Sequence, residues 1–111
     1  MTELETYLCK CLEQIMHLED VFNMKVYNRK KKRFEFTISD FKWVGSGHFL
    51  EIIERSLRHK FGKYIEEYFE VDYETGKEGR HNVDFVLTIK PKVDLEVLAG
   101  YLRIMNGGNN G

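Results

Sequence analysis

Five cations stand side by side in the stretch Asn28-Arg29-Lys30-Lys31-Lys32-Arg33-Phe34-Glu35-Phe36, directly before an alternating apolar run. Adjacent lysines and arginines are the side chains that contact phosphate, and a basic β-hairpin can lie in a nucleic-acid groove. Lys25, Tyr27 and Trp43 flank the run, while Arg55, Arg58 and Lys63 follow in the next charged segment. Arg29, Lys30, Lys31, Lys32, Arg33, Arg55 and Arg58 therefore form a candidate nucleic-acid-binding set. The run also has a purely physical use: charges this close repel, belong in solvent at a hairpin tip, and discourage edge-to-edge strand pairing. The opposite sign gathers in residues 64–79, where Glu66, Glu67, Glu70, Asp72, Glu74 and Glu78 stand against a single lysine. Glu70, Asp72 and Glu74 alternate along a strand and so share one face, where they could hold a cation, raise a neighbour's pKa or meet a basic partner.

Other chemistry-bearing groups are weaker. Cys9, Glu13 and His17 follow an i, i+4, i+8 stripe with Asp20 beyond it, but a metal site needs further converging donors. His48, His59 and His81 show neither HExxH nor paired-cysteine spacing, so no metal or other cofactor is expected. His81 and Asp84 could orient each other, yet no serine or cysteine nucleophile sits in a recognisable frame, and an enzyme is not expected. Gly45-Ser46-Gly47-His48 could cradle a phosphate at a helix start, but it lacks the phosphate-loop lysine and reads as a tight turn with Ser46 as cap.

The elements that must position these residues follow from periodicity. Leu4, Tyr7, Leu8, Cys11, Leu12, Ile15 and Leu18 fall on one side of a helical wheel running from Thr2 to about Asp20, with Lys10, Glu13 and His17 opposite. Phe22, Met24 and Val26, then Phe34, Phe36 and Ile38, alternate with polar residues as a hairpin whose turn is the basic run. Residues 41–44 suggest a short third strand. A helix follows from Ser46 to about Phe61, with Phe49, Ile52, Ile53, Leu57, Phe61 and Tyr64 on one face. Phe69, Val71 and Tyr73, then Val83, Phe85, Leu87 and Ile89, form a second hairpin stopped by Pro91. Asp94 can cap a last helix that ends at Met105, and residues 106–111 form a glycine- and asparagine-rich tail expected to be disordered.

The order α-β-β-(β)-α-β-β-α describes an α+β fold: a two-layer sandwich with an antiparallel sheet of four to five strands and helices on one face. FEFTIS at 34–39 and FVLTIK at 85–90 echo each other, as though two α-β-β units were joined. Residues 2–61, read as α-β-β-β-α, have the element order of a double-stranded-RNA-binding domain. That domain's second helix opens on lysines, whereas this one opens GSGHFLEIIE with Glu51 and Glu54, so the similarity stops at element order.

Residues 1–105 are the size of one domain, and a net charge of −1 gives no general attraction to nucleic acid or membrane. No apolar run approaches the ~18 residues that span a bilayer, and the first residues lack the order of a signal peptide, so a cytoplasmic protein is expected. Cys9 and Cys11 diverge on their helix and suit a reducing compartment.

On the last helix Leu95, Leu98, Leu102 and Met105 would fill a core, while Val97, Tyr101 and Ile104 widen the apolar arc to about 220°. A face left over in this way commonly marks a protein interface. The sequence therefore points to a small protein-binding module of adaptor, chaperone or inhibitor type. It would form a homodimer or bind another protein through Val97, Tyr101 and Ile104, with Glu70, Asp72 and Glu74 giving orientation. The alternative is an RNA- or DNA-binding module built on the basic run.

Overall fold

The computed structural model describes residues 1–42, 46–75 and 82–105. Trp43, Val44 and Gly45, the turn at 76–81 with His81, and the tail at 106–111 lie outside the described residues. Its elements are α1 (Glu3–Met16), β1 (Met24–Asn28), β2 (Arg33–Lys42), α2 (Ser46–Phe61), a 3-10 turn (Gly62–Tyr64), α3 (Ile65–Tyr68), β3 (Phe69–Thr75), β4 (Asn82–Pro91) and α4 (Leu95–Met105). The strands form one antiparallel sheet in the order β1-β2-β4-β3, with the helices against one face. This is the expected α+β sandwich.

The central pair sets the register. Phe34 lies opposite Ile89, Phe36 opposite Leu87 and Ile38 opposite Phe85, and all but Ile38 are fully buried. Aligned positions of the two echoing stretches thus exchange partners about a local two-fold at Phe36 and Leu87. The outer strands continue the apolar rows, Tyr27 beside Phe34 and Val71 beside Ile89. Leu8, Leu12, Ile53, Leu57, Leu98 and Leu102 close the core from the helix side.

Residues 41–44 do not begin a separate strand. A bulge at Ser39 and Asp40 shifts the register between Ile38 and Phe41, and β2 continues to Lys42 beside β4. Asp40 takes φ 61°, and its N–H donates to Asp84 Oδ1 at 3.3 Å, while Ser39 N–H donates to Asn23 Oδ1. The inserted residue reverses strand parity. Without it Asp40 would point into the core; with it Phe41 does, packing on Phe85 at 4.7 Å and Phe49 at 5.4 Å. The three-strand reading of residues 2–61 fails for this reason, and the sheet has four strands among the described residues.

Local chemistry also moves the helix ends. Thr2 and Glu5 form a reciprocal capping box that starts α1, and α1 stops at Met16 rather than near Asp20 because His17 adopts φ 59°. His17 and Leu18 N–H groups then donate to the carbonyls of Gln14 and Glu13, closing the last turn. Gly62 at φ 63° ends α2 in the left-handed region that glycine occupies at least cost. Because α2 begins at Ser46 itself, its cap position falls at Gly45, outside the described residues. Two wheel assignments are overturned: Glu13 is buried instead of solvated, and Ile52 is 44% exposed instead of packed.

Phe36 packs on Phe22 and Phe34 at ring distances of 5.1 and 6.4 Å and has no solvent exposure. Phe36→Ala should cost about 3–5 kcal/mol of stability. Ile104→Ala, on a side chain 77% exposed, should stay within about 0.5 kcal/mol of the parent. Urea midpoints for the pair measure the contrast.

Candidate interaction surface

The first hairpin carries Lys25, Arg29 and Arg33, and the fold gives each a carboxylate. Lys25 lies on the helix side of β1, with Nζ 2.7 Å from Glu13 Oε2 on α1. This buried oxygen has no hydrogen-bond donor among the described residues, and the Lys25 charge is what faces it. Arg29, in the turn, reaches the buried Glu5 with Nε 3.1 Å from Oε2 and Nη2 3.3 Å from Oε1. The Glu5 carboxyl is held below its ordinary value first by that hydrogen bond, against a smaller opposing effect of burial and with help from Thr2 N–H. Arg33 points to the opposite, helix-free face of the sheet, where Nε donates to Glu35 Oε2 at 2.8 Å and Nη2 lies 2.9 Å from Glu74 Oε1. Burial works against the charge on Arg33, and the two carboxylates more than reverse it, holding its pKa above the ordinary range.

Arg29 and Arg33 are therefore not free phosphate ligands. What remains of the basic run is Lys30, Lys31 and Lys32, for which no ion pair exists among the described residues. The turn that presents them is fixed locally: Asn28 Oδ1 accepts from Lys31 N–H at 3.0 Å, and Lys32 sits at φ 53°.

The open face of the sheet brings these lysines to the acidic strand. Glu70 lies opposite Lys90, Asp72 opposite Thr88 and Glu74 opposite Val86, with Glu35 on the far side of Thr88. The three lysines, Arg33, Glu70, Asp72, Glu74, Thr88 and Lys90 line a groove of about 450 Å³. Asp72 Oδ1 also accepts from Tyr73 N–H at 2.8 Å, so a carboxylate covers a backbone donor of this edge strand.

The other candidate groups lie elsewhere. Val97 and Ile104 on α4 are 55% and 77% exposed, but Tyr101 stacks on Phe61 at 5.8 Å and Tyr68 at 4.6 Å and is partly covered by the chain's own elements. Because α4 belongs to the helical layer, Val97, Tyr101 and Ile104 do not form one surface with Glu70, Asp72 and Glu74. Arg55 and Arg58 are on α2, across the sheet from the lysine groove. Cys9 is buried, and burial together with the Glu13 charge pushes its thiol up to about 12, which removes it as a nucleophile or ready ligand. His48 meets only Glu51, at 3.8 Å on an exposed helix turn. Asp84 accepts from Asp40, and its proposed partner His81 lies outside the described residues.

Sequence reasoning missed Glu5 and Glu13 as anchors of the hairpin. The Thr2-x-x-Glu5 spacing was a readable sign of a cap, but the arrival of Arg29 depends on how α1 lies over β1. No helix among the described residues is long and apolar enough to cross a membrane.

Two outcomes are expected from these pairs. Arg33→Met leaves Glu35 only the Asn28 amide as a donor, at 3.3 Å, and should cost about 1–3 kcal/mol, whereas Glu74→Gln, on a half-exposed side chain, should cost less than about 1 kcal/mol; denaturant titration separates them. The depressed pKa of Glu5 contributes stability that is fully present above its ordinary value of 4.5 and is lost as pH falls through the folded value. Arg29→Gln should therefore lower the unfolding midpoint at neutral pH, and its gap from the parent should close in acid. A gap unchanged on acidification would show that Arg29 acts through packing instead of charge.

Comparison of the chain with protein-family models, curated proteins and solved structures gives no match.

Proposed function

We propose that the chain is a non-enzymatic protein-binding domain that docks its partner on the open sheet face between Lys30, Lys31 and Lys32 and the strand carrying Glu70, Asp72 and Glu74. The observation carrying this reading is the meeting of three lysines, without an ion pair among the described residues, with carboxylates in one groove that no other described element covers. A surface with both signs side by side is complementary to a partner with the reversed pattern, and such patterns set orientation and association rate. A second copy of this chain carries both halves of the pattern, so a homodimer satisfies the requirement without another component.

The same geometry disfavours nucleic acid. A phosphate backbone following the lysines would meet Glu70, Asp72 and Glu74 within the groove, and the arginines expected to extend the contact are paired or belong to the other layer. Lys30, Lys31 and Lys32, without an ion pair among the described residues, keep the nucleic-acid reading testable.

Charge reversal decides between them. Lys30→Glu, Lys31→Glu and Lys32→Glu together should make the protein monomeric in sedimentation equilibrium, and Glu70→Lys with Asp72→Lys should do the same. Mixing the two variants should restore a dimer, with dissociation constants of the parent rising about tenfold or more at high salt. A parent protein that stays monomeric but binds an oligonucleotide with steep salt dependence, lost in the triple variant, would establish the nucleic-acid reading instead.

A further inference from the structure

We infer that the groove between α1 and α2, on the helical side of the molecule, is a binding site for a small phosphate-bearing ligand. The groove has a volume of about 680 Å³, within the range of small-molecule sites. Arg55, Ser56, His59 and Lys60 line it from α2, and Gln14 and His17 from the end of α1, over the partly apolar floor of Ile15. Positions 55, 56, 59 and 60 repeat at the i, i+4 spacing that keeps side chains on one helix face, so the four converge on the groove instead of spreading round α2.

The lining is one-sided in chemistry. It holds a guanidinium, an ammonium, two imidazoles, a hydroxyl and an amide, all able to donate to an oxyanion, and no carboxylate. None of these side chains has an ion pair or hydrogen-bond partner among the described residues. Lys25, Arg29 and Arg33 each meet a carboxylate, whereas Arg55 and Lys60 stand together on one face of α2 in a groove whose lining holds none.

His17 supplies an independent sign. It ends α1 in the left-handed conformation, which glycine adopts at least cost and which Asn, Asp and His adopt more readily than other side chains. The backbone bonds of His17 and Leu18 to Gln14 and Glu13 fix that conformation, and the side chain it carries lines the groove. The turn that ends α1 thus fixes where the His17 imidazole stands, at the wall of the groove.

The ligand is small because the basic patch is bounded. Glu51 precedes Arg55 by one helical turn, and Glu19 and Asp20 stand two and three residues after His17, so a polyanion leaving the groove would run into carboxylates. One or two phosphate groups match the charge that the groove offers.

Titration of the isotope-labelled full chain with inorganic pyrophosphate, at constant ionic strength, tests this by nuclear magnetic resonance. Saturable shifts are expected at His17 and at 55–60, and Arg55→Gln with Lys60→Gln should weaken binding about tenfold or more. His17→Gly should keep or raise the unfolding midpoint, since glycine is at ease in this conformation, and yet weaken binding. Shifts that do not saturate, shifts confined to Lys30, Lys31 and Lys32, or unchanged affinity in a folded Arg55→Gln and Lys60→Gln variant would overturn the assignment.

Discussion

The register between β2 and β4 is the constraint on which the other elements depend. Phe34, Phe36, Phe85, Leu87 and Ile89 form two facing rows with no solvent exposure, and a slip of one residue would turn either row toward water. Each hairpin is completed outward from this pair, β1 on β2 and β3 on β4, so one register decides which side of all four strands turns to the helices, even on β1, where Met24 and Val26 fall on the other side. The helices have only that side to cover. The opposite face must then carry Arg33, Glu35, Glu70, Asp72, Glu74 and Lys90, which is why charge of both signs collects there.

Within that layout, ionic contacts act mainly as positioning devices. Glu5 belongs at once to the α1 capping box and to the Arg29 pair, so the start of the helix and the tip of the first hairpin are tied through one carboxylate. Arg33 reaches across β4 to Glu74 and joins the two hairpins on the open face. These contacts contribute less stability than the aromatic rows, because partial exposure screens them, but they decide where the cations stand. They leave a compact group of three lysines out of a run of five.

Residues with strong local signals were legible in the sequence. Alternation identified both hairpins, the apolar stripes located the helices, and the ends at Phe61, Pro91 and Met105 coincide with local breaks. The bulge was not legible as a bulge, since a parity change after Ile38 has the same pattern as a strand ending and another starting. Glu13 was read as solvated because a wheel shows one helix alone and cannot show Lys25 arriving from β1. Alternation places Glu70, Asp72 and Glu74 on one strand face, but only the strand order β1-β2-β4-β3 brings that face beside the lysine turn. Contacts between elements distant in sequence account for each miss.

The local two-fold between the halves shows which features the fold itself does not require. Two helix-hairpin units pairing through equivalent strands can be built with equivalent exteriors, and the buried faces of this molecule approach that condition: Phe36 and Leu87 occupy matching positions and pair with each other. The open face departs from it. β1 presents Met24, Val26 and Asn28, whereas β3 presents Glu70, Asp72 and Glu74, and the lysines lie in the turn of the first hairpin. On the helix side the halves differ too, with Lys25 opposite Phe36 where β3 has Tyr73 opposite Leu87, but core packing does not dictate the charges on a face against which no other described element packs. Solubility would be served by either sign on either strand. An ordered arrangement of charge on a sheet face that no other described element covers is the observation on which the proposed docking reading rests.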